Sequence, residues 1–214
     1  METRLEHRLA AFATAMVVMH HTGVVLEPLG DVGETRWADW FDLAAPYLVL
    51  GFAVAAVEAA RPRRGAWLLL LAAGVLYTQG HGIHLAANSI ANVDPGDTAH
   101  LWDEVVGHYL WYAGLAGVVA ALALAAGDQP PPRNRTFALV LAALFGATVF
   151  TNSVEGGTPF LALGTAIFFV AWGVRRRRGA AWLLVPTYSI VIVGLCAWGA
   201  YWRGFPQFSE LGWI

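Results

Sequence analysis

The sequence predicts an all-α integral membrane protein: one domain over residues 1–214, seven transmembrane helices, the N-terminus cytoplasmic and the C-terminus outside. Three observations lead there. Hydrophobic residues make up 57% of the 214 and charged residues only 13%, with a mean hydropathy of +0.54; water-soluble domains do not have this composition. Seven stretches are apolar over the length a helix needs to cross a hydrocarbon core, about 20 residues. One choice of orientation then sorts the basic and acidic residues onto opposite sides.

In chain order the spans run roughly 9–29, 41–60, 66–90, 101–126, 136–155, 158–174 and 180–202. The first is followed by a charged loop rather than a small-residue cleavage site, so it reads as a span and not as a signal peptide. The second opens after the acidic, tryptophan-containing stretch Asp31 to Asp42 and stops at Arg61-Pro62-Arg63-Arg64. The third carries a polar stripe near its end, and the fourth ends ahead of Pro130 to Pro132, which cannot continue a helix. The fifth closes at Glu155-Gly156-Gly157, a helix end with a tight turn. The sixth stops at the run Arg175 to Arg178, and the seventh holds the single cysteine, Cys196.

Positively charged loops stay in the cytoplasm. With the N-terminus inside, Arg4, Arg8, Arg61, Arg63, Arg64, Arg133, Arg135 and Arg175 to Arg178 lie there, eleven of thirteen, leaving Arg36 and Arg203 outside. The same choice puts Glu27, Asp31, Glu34, Asp39, Asp42, Asp94, Asp97, Asp103, Glu104, Glu155 and Glu210 outside, eleven of fifteen acids. Trp37, Trp40, Trp102, Trp202 and Trp213 fall at the outer interface, where aromatic belts belong. The expected location is the plasma membrane, and the lysine-free, alanine- and arginine-rich composition suggests a prokaryote. The absence of lysine excludes Schiff-base chemistry and the Walker-type phosphate lysine. One cysteine excludes a disulfide framework and a cysteine-rich metal site. The arginine clusters are explained as topology determinants, so nucleic acid is not an expected partner.

Six of the seven histidines, all but His7, lie in the outer half of this topology. Ionisable groups inside spans are costly and face a bundle interior or a watery cavity. On the third span Tyr77, His81, His84 and Asn88 fall within an arc of roughly 60°. The His-x-x-His pair is spaced to share an ion. The fourth span begins His100-Leu-Trp-Asp103-Glu104 and continues to His108-Tyr-Leu-Trp111. Glu104, His108 and Trp111 share a face there, with Asp103 about 100° away from Glu104. On the first span His20 ranks above His21 for an inward position and shares a face with Glu27. Thr148, Asn152 and Glu155 line one arc of the fifth. Four helices thus bring polar stripes to one end of the bundle.

Neutral imidazoles with carboxylates are ligands for Zn²⁺, and also for iron or copper. The expected ligands are His81, His84 and His108, with His20 and Asp103 as further candidates. Glu104 or Glu155 would move protons, and Asn88 and Tyr77 would support the metal ligands or donate to an oxyanion. Substrates reaching such a site are membrane lipids or amphiphilic small molecules, so the expected activity is zinc-dependent hydrolysis of a lipid amide or ester at the outer leaflet. Two alternatives belong to other classes: a redox protein holding haem between His84 and His108 or a copper or iron centre, and a metal-ion or proton transporter with an outer histidine vestibule. A docking surface for a partner protein or a second copy is a further possibility for the polar patch. In architecture alone, the seven spans, the orientation and the His/acid set resemble the superfamily of adiponectin receptors and alkaline ceramidases, which are zinc-dependent lipid amidases. Their late His-x-x-x-His pair has no counterpart here, since residues 180–214 contain no histidine, and no residue is carried over from them.

Overall fold

A computed structural model describes residues 2–176 and 179–213. Arg177 and Arg178 of the arginine run lie outside the described residues. The chain is helical apart from one short antiparallel hairpin, Asp31–Val32 (β1) against Thr35–Arg36 (β2). The helices are α1 (Glu2–Met19), α2 (Thr22–Leu26), α3 (Trp37–Asp42), α4 (Ala45–Ala60), α5 (Arg64–Ala91), α6 (Asp97–His100), α7 (His108–Ala126), α8 (Arg135–Glu155), α9 (Pro159–Arg175) and α10 (Leu184–Trp202). A π-helical stretch, Leu101–Gly107, joins α6 to α7.

Five helical rods are long and apolar enough to cross a membrane: Trp37–Ala60, Arg64–Ala91, Asp97–Ala126, Arg135–Glu155 and Ala180–Trp202. A sixth is the bent pair Arg4–Met19 and Thr22–Leu29, if it counts as one span. The 17-residue α9 is apolar but shorter. These helices fit a multi-pass membrane protein.

The first predicted span, read as one helix over 9–29, is corrected here to two pieces bent by 51°. The sequence explains the break locally. Three consecutive side chains bond back to the last carbonyls of α1: His20 Nδ1 to Met16 O at 2.9 Å, His21 Nδ1 to Val17 O at 2.7 Å and Thr22 Oγ1 to Val18 O at 3.3 Å. At Val17 O and Val18 O these side chains stand where a continuing helix would place its i+4 backbone donors, while Met16 O also keeps its bond from His20 N at 3.1 Å. The bend also separates Glu27 from His20; Glu27 sits exposed in a 3₁₀ turn, Glu27–Leu29.

Helices α5 and α7 run antiparallel with their backbones in contact. A Cβ on Gly80 would stand 2.2 Å from Trp111 N, one on Gly114 2.2 Å from Tyr77 N, and one on Gly107 2.8 Å from His84 N. Small residues let helices approach this closely where no hydrophobic effect drives them together. Helix α1 lies on α4, and α10 lies on α8 and α9. Met16, Val49, Val118 and Leu195 are fully buried among them.

Contacts divide the bundle into two ends. At the arginine end, Arg8 pairs with Glu58 at 2.8 Å, Glu6 accepts from Arg133 N, and Arg176 pairs with Asp128 at 2.7 Å. At the histidine end, α1, α5 and α7 bring their polar stripes together, and the segment after α10 folds back over α7 and α8.

Candidate metal centre

The site grows from the π-helical stretch. In an α-helix residues i and i+5 stand about 140° apart, so Asp103 and His108 would diverge. A π-helix closes i to i+5 hydrogen bonds, which turns these two residues to one side. Across the contact lies His84, whose backbone reaches α7 because Gly107 has no side chain. His84 Nδ1 donates to Asp103 Oδ1 over 2.5 Å, and the rings of His84 and His108 stand 4.3 Å apart. One nitrogen from each histidine and one oxygen of Asp103 lie within 4.8 Å of one another.

The three donors fit a metal ion chemically. Two imidazoles and a carboxylate suit zinc and non-haem iron. Tetrahedral bonds of about 2.0 Å separate ligand atoms by about 3.3 Å, so to hold an ion the three side chains would have to draw in, with His84 offering Nε2 or giving up its bond to Asp103. His108 supplies an independent observation: it is buried, and its Nδ1 has no hydrogen-bond partner. Glu104 Oε2 stands 3.4 Å away, near enough to pair with a charged ring but outside hydrogen-bond geometry. Buried polar atoms are rarely left this way, and an ion is one means of satisfying them.

Gly156 lets the end of α8 close on this group, since a Cβ there would stand 2.8 Å from the Tyr112 ring and 3.1 Å from His108 Cγ. From the C-terminal segment, Gln207 Nε2 donates to Glu104 Oε2 at 2.9 Å and to Glu155 O at 2.5 Å. The Glu155 carboxylate accepts from Phe208 N at 2.7 Å and Ser209 N at 3.3 Å. Glu155 therefore holds the returning chain in place, while Glu104 faces His108.

The other sequence candidates surround the triad. His81 is buried and donates from Nε2 to Asp42 Oδ2 at 3.1 Å. His20 gives its Nδ1 proton to Met16 O, which leaves Nε2 to accept from Tyr77 OH at 3.3 Å. Tyr77 is fully buried. Asn88 is half-buried one turn beyond His84. The structure thus brings His84, Asp103 and His108 together, sets Glu104 beside them, and puts His81 and His20 in separate hydrogen-bonded pairs.

Three contributors were not among the sequence candidates. Trp111 stacks on His20 and His84 with centroids 5.2 Å from each, and meets His81 edge-on at 4.8 Å. Its shared face with Glu104 and His108 was the available signal. Asp42 belongs to the i, i+3 pair Asp39/Asp42, which opens an apolar helix and so foreshadows an inward carboxylate. Gln207 lies in a polar tail with no periodicity to place it. No protein-family model matches this chain, and no curated protein and no solved structure matches it.

Proposed function

We propose that this chain is a seven-span protein of the plasma membrane, N-terminus inside, holding one zinc ion on His84, Asp103 and His108 to hydrolyse a lipid amide or ester at the outer leaflet. The observation that carries the reading is the orphaned Nδ1 of buried His108, beside a donor set within 4.8 Å. On this reading the five rods, the bent pair as one span and the shorter α9 are the seven spans. An odd number agrees with Glu6 at the arginine end and Gln207 at the histidine end. Exposed Trp102 and Trp213 near the site suit an interfacial depth at which amphiphiles present their polar bonds.

Bound zinc would polarise the substrate carbonyl and acidify a water molecule. Glu104 is the group placed to carry the proton, next to His108 and steadied by Gln207. His81 and Asp42 stay outside the metal set. The 4.3 Å between the His84 and His108 rings favours a single small ion over haem, whose porphyrin would have to pass between them.

Metal analysis of detergent-purified protein tests this. About one zinc per chain is expected, falling at least tenfold in His84→Ala and His108→Ala and retained in His81→Gln. Lipid amide and ester substrates should be cleaved by the zinc-loaded protein and not by Glu104→Gln, which keeps its zinc. A metal-free parent, or equal loss in His81→Gln, overturns the centre. Stoichiometric iron would instead favour a redox reading, since two histidines and a carboxylate also form a non-haem iron set.

A further inference from the structure

Glu104 is the most exposed member of the group around the candidate metal centre. Its side chain is 27% exposed, against 18% for His84, 8% for Asp103 and 6% for His108. The chain's own C-terminal segment stands on that side. Glu104 Oε2, the oxygen 3.4 Å from His108 Nδ1, is the one that accepts from Gln207 Nε2 at 2.9 Å. The bond that steadies this carboxylate therefore also occupies it. Residues 207–213 are built to move as one piece. Gln207 N donates to Glu210 Oε2 at 2.9 Å, and the amides of Leu211, Gly212 and Trp213 bond to carbonyls within the segment. Among the described residues, its only backbone donors engaged elsewhere are Phe208 N and Ser209 N, both on the Glu155 carboxylate. The other ties are the Gln207 carboxamide, on Glu104 and on Glu155 O, and the rings of Phe208 and Trp213 against Trp198, with centroids 4.9 and 5.5 Å away. Trp198 Nε1 also donates to Pro206 O at 3.1 Å, which pins the chain just ahead of the segment.

We propose that residues 207–213 are a hinged cap on the candidate metal centre, latched by Gln207, and that substrate gains Glu104 only when the carboxamide leaves. The proposal rests on Glu104 as the proton carrier of the zinc site. A general acid or base must come within hydrogen-bond reach of the proton it moves. Oε2 faces His108 on one side and holds Gln207 on the other, so a reacting group takes the place of Gln207. The closed cap is an autoinhibitory contact. Glu155, a second candidate proton carrier by sequence, serves as its anchor through Phe208 N and Ser209 N. Swinging about Pro206 breaks no hydrogen bond inside the segment, only the ties to Glu104, Glu155 and Trp198. Local openings draw on such parts of a fold, and lids over active sites are taken from them.

Carbethoxylation of histidines by diethyl pyrocarbonate in the metal-free, full-length protein in detergent, located by peptide mass spectrometry, tests the cap without a substrate or a metal. His108 should react at least about fivefold faster in Gln207→Ala and in Glu155→Ala than in the parent. His20 and His81, whose hydrogen bonds do not involve the cap, should keep their rates within about twofold, which also reports that each variant is folded. An unchanged His108 rate in the folded variants overturns the cap. So does a rise at all three histidines, since loosening of the whole histidine end then explains it. In zinc-loaded protein, the same variants should lose the ion to a chelator at least about fivefold faster at equal stoichiometry. A parent that binds no zinc but shows selective unmasking of His108 keeps the cap and removes the hydrolase reading, whereas one zinc per chain with unchanged His108 reactivity does the reverse.

Discussion

Gly80 and Gly114 show how the α5–α7 contact is set by single atoms. The hydrogens of each face backbone atoms of the other helix, with Trp111 N and Tyr77 N both 2.2 Å from where a Cβ would stand. A backbone cannot rotate aside as a flexible side chain would. Gly80→Ala and Gly114→Ala should therefore each destabilise the fold by about 1–3 kcal/mol or more, the range for overpacking. Gly82 has open space around its Cβ position. Gly82→Ala should cost nothing and gain up to about 1 kcal/mol, since alanine is the better helix former. Equilibrium unfolding in detergent micelles measures all three, and a Gly80→Ala variant as stable as Gly82→Ala would contradict the backbone contact. The polar stripe Tyr77, His81, His84, Asn88 was readable from α-helical spacing. That His81 pairs with Asp42 was not, because the partner comes from 39 residues earlier, on a different helix.

At the scale of elements, the π-helical stretch Leu101–Gly107 separates what was legible from what was not. Regular α periodicity couples Glu104 to His108 and sets Asp103 aside. In the fold both acids face a histidine, Asp103 across to His84 and Glu104 along its own helix to His108. One extra residue in the turn produces this, and nothing in the composition of Leu101 to Gly107 announces it. Removing that residue should restore an α-helical phase without scattering the site. With Val105 deleted, Asp103 and His108 become i, i+4 neighbours, which share a face of an α-helix. Val105 is exposed and has no role in the donor set. The deletion variant should keep its metal content within about threefold of the parent. Deleting Val118, inside regular α7 and fully buried, should instead rotate one half of the helix by about 100° and abolish both packing and metal. Equal loss in the two variants would show that the π turn does not hold one accommodated residue. The break after Met19 has the same lesson in reverse: the apolar run through 9–29 was visible, but side chains bonding to Val17 and Val18 take the place of the next helical donors within it.

For the whole molecule, the apolar rods were legible because they depend on composition along the chain. The return of the C-terminal segment was not, since Gln207, Phe208 and Ser209 bond to Glu104 and Glu155 only after α8 and α10 have packed. That return makes the number of crossings testable. Between Pro130 and Ser209 the chain passes through α8, α9 and α10. At 1.5 Å per residue the 17 residues of α9 extend about 25 Å, just short of a hydrocarbon core of about 30 Å. If α9 crosses, three passes separate the two positions and they face opposite sides; if it does not, two passes leave them on the same side. Single cysteines at Asn92, Pro130 and Ser209, all exposed, in a Cys196→Ser background read this directly. A membrane-impermeant maleimide should label Asn92→Cys and Ser209→Cys in intact cells, and Pro130→Cys only after permeabilisation. Labelling of Pro130→Cys and Ser209→Cys from the same side would remove α9 from the spans. Labelling of Pro130→Cys alone from outside would invert the chain, and with it put the candidate metal centre against the inner leaflet.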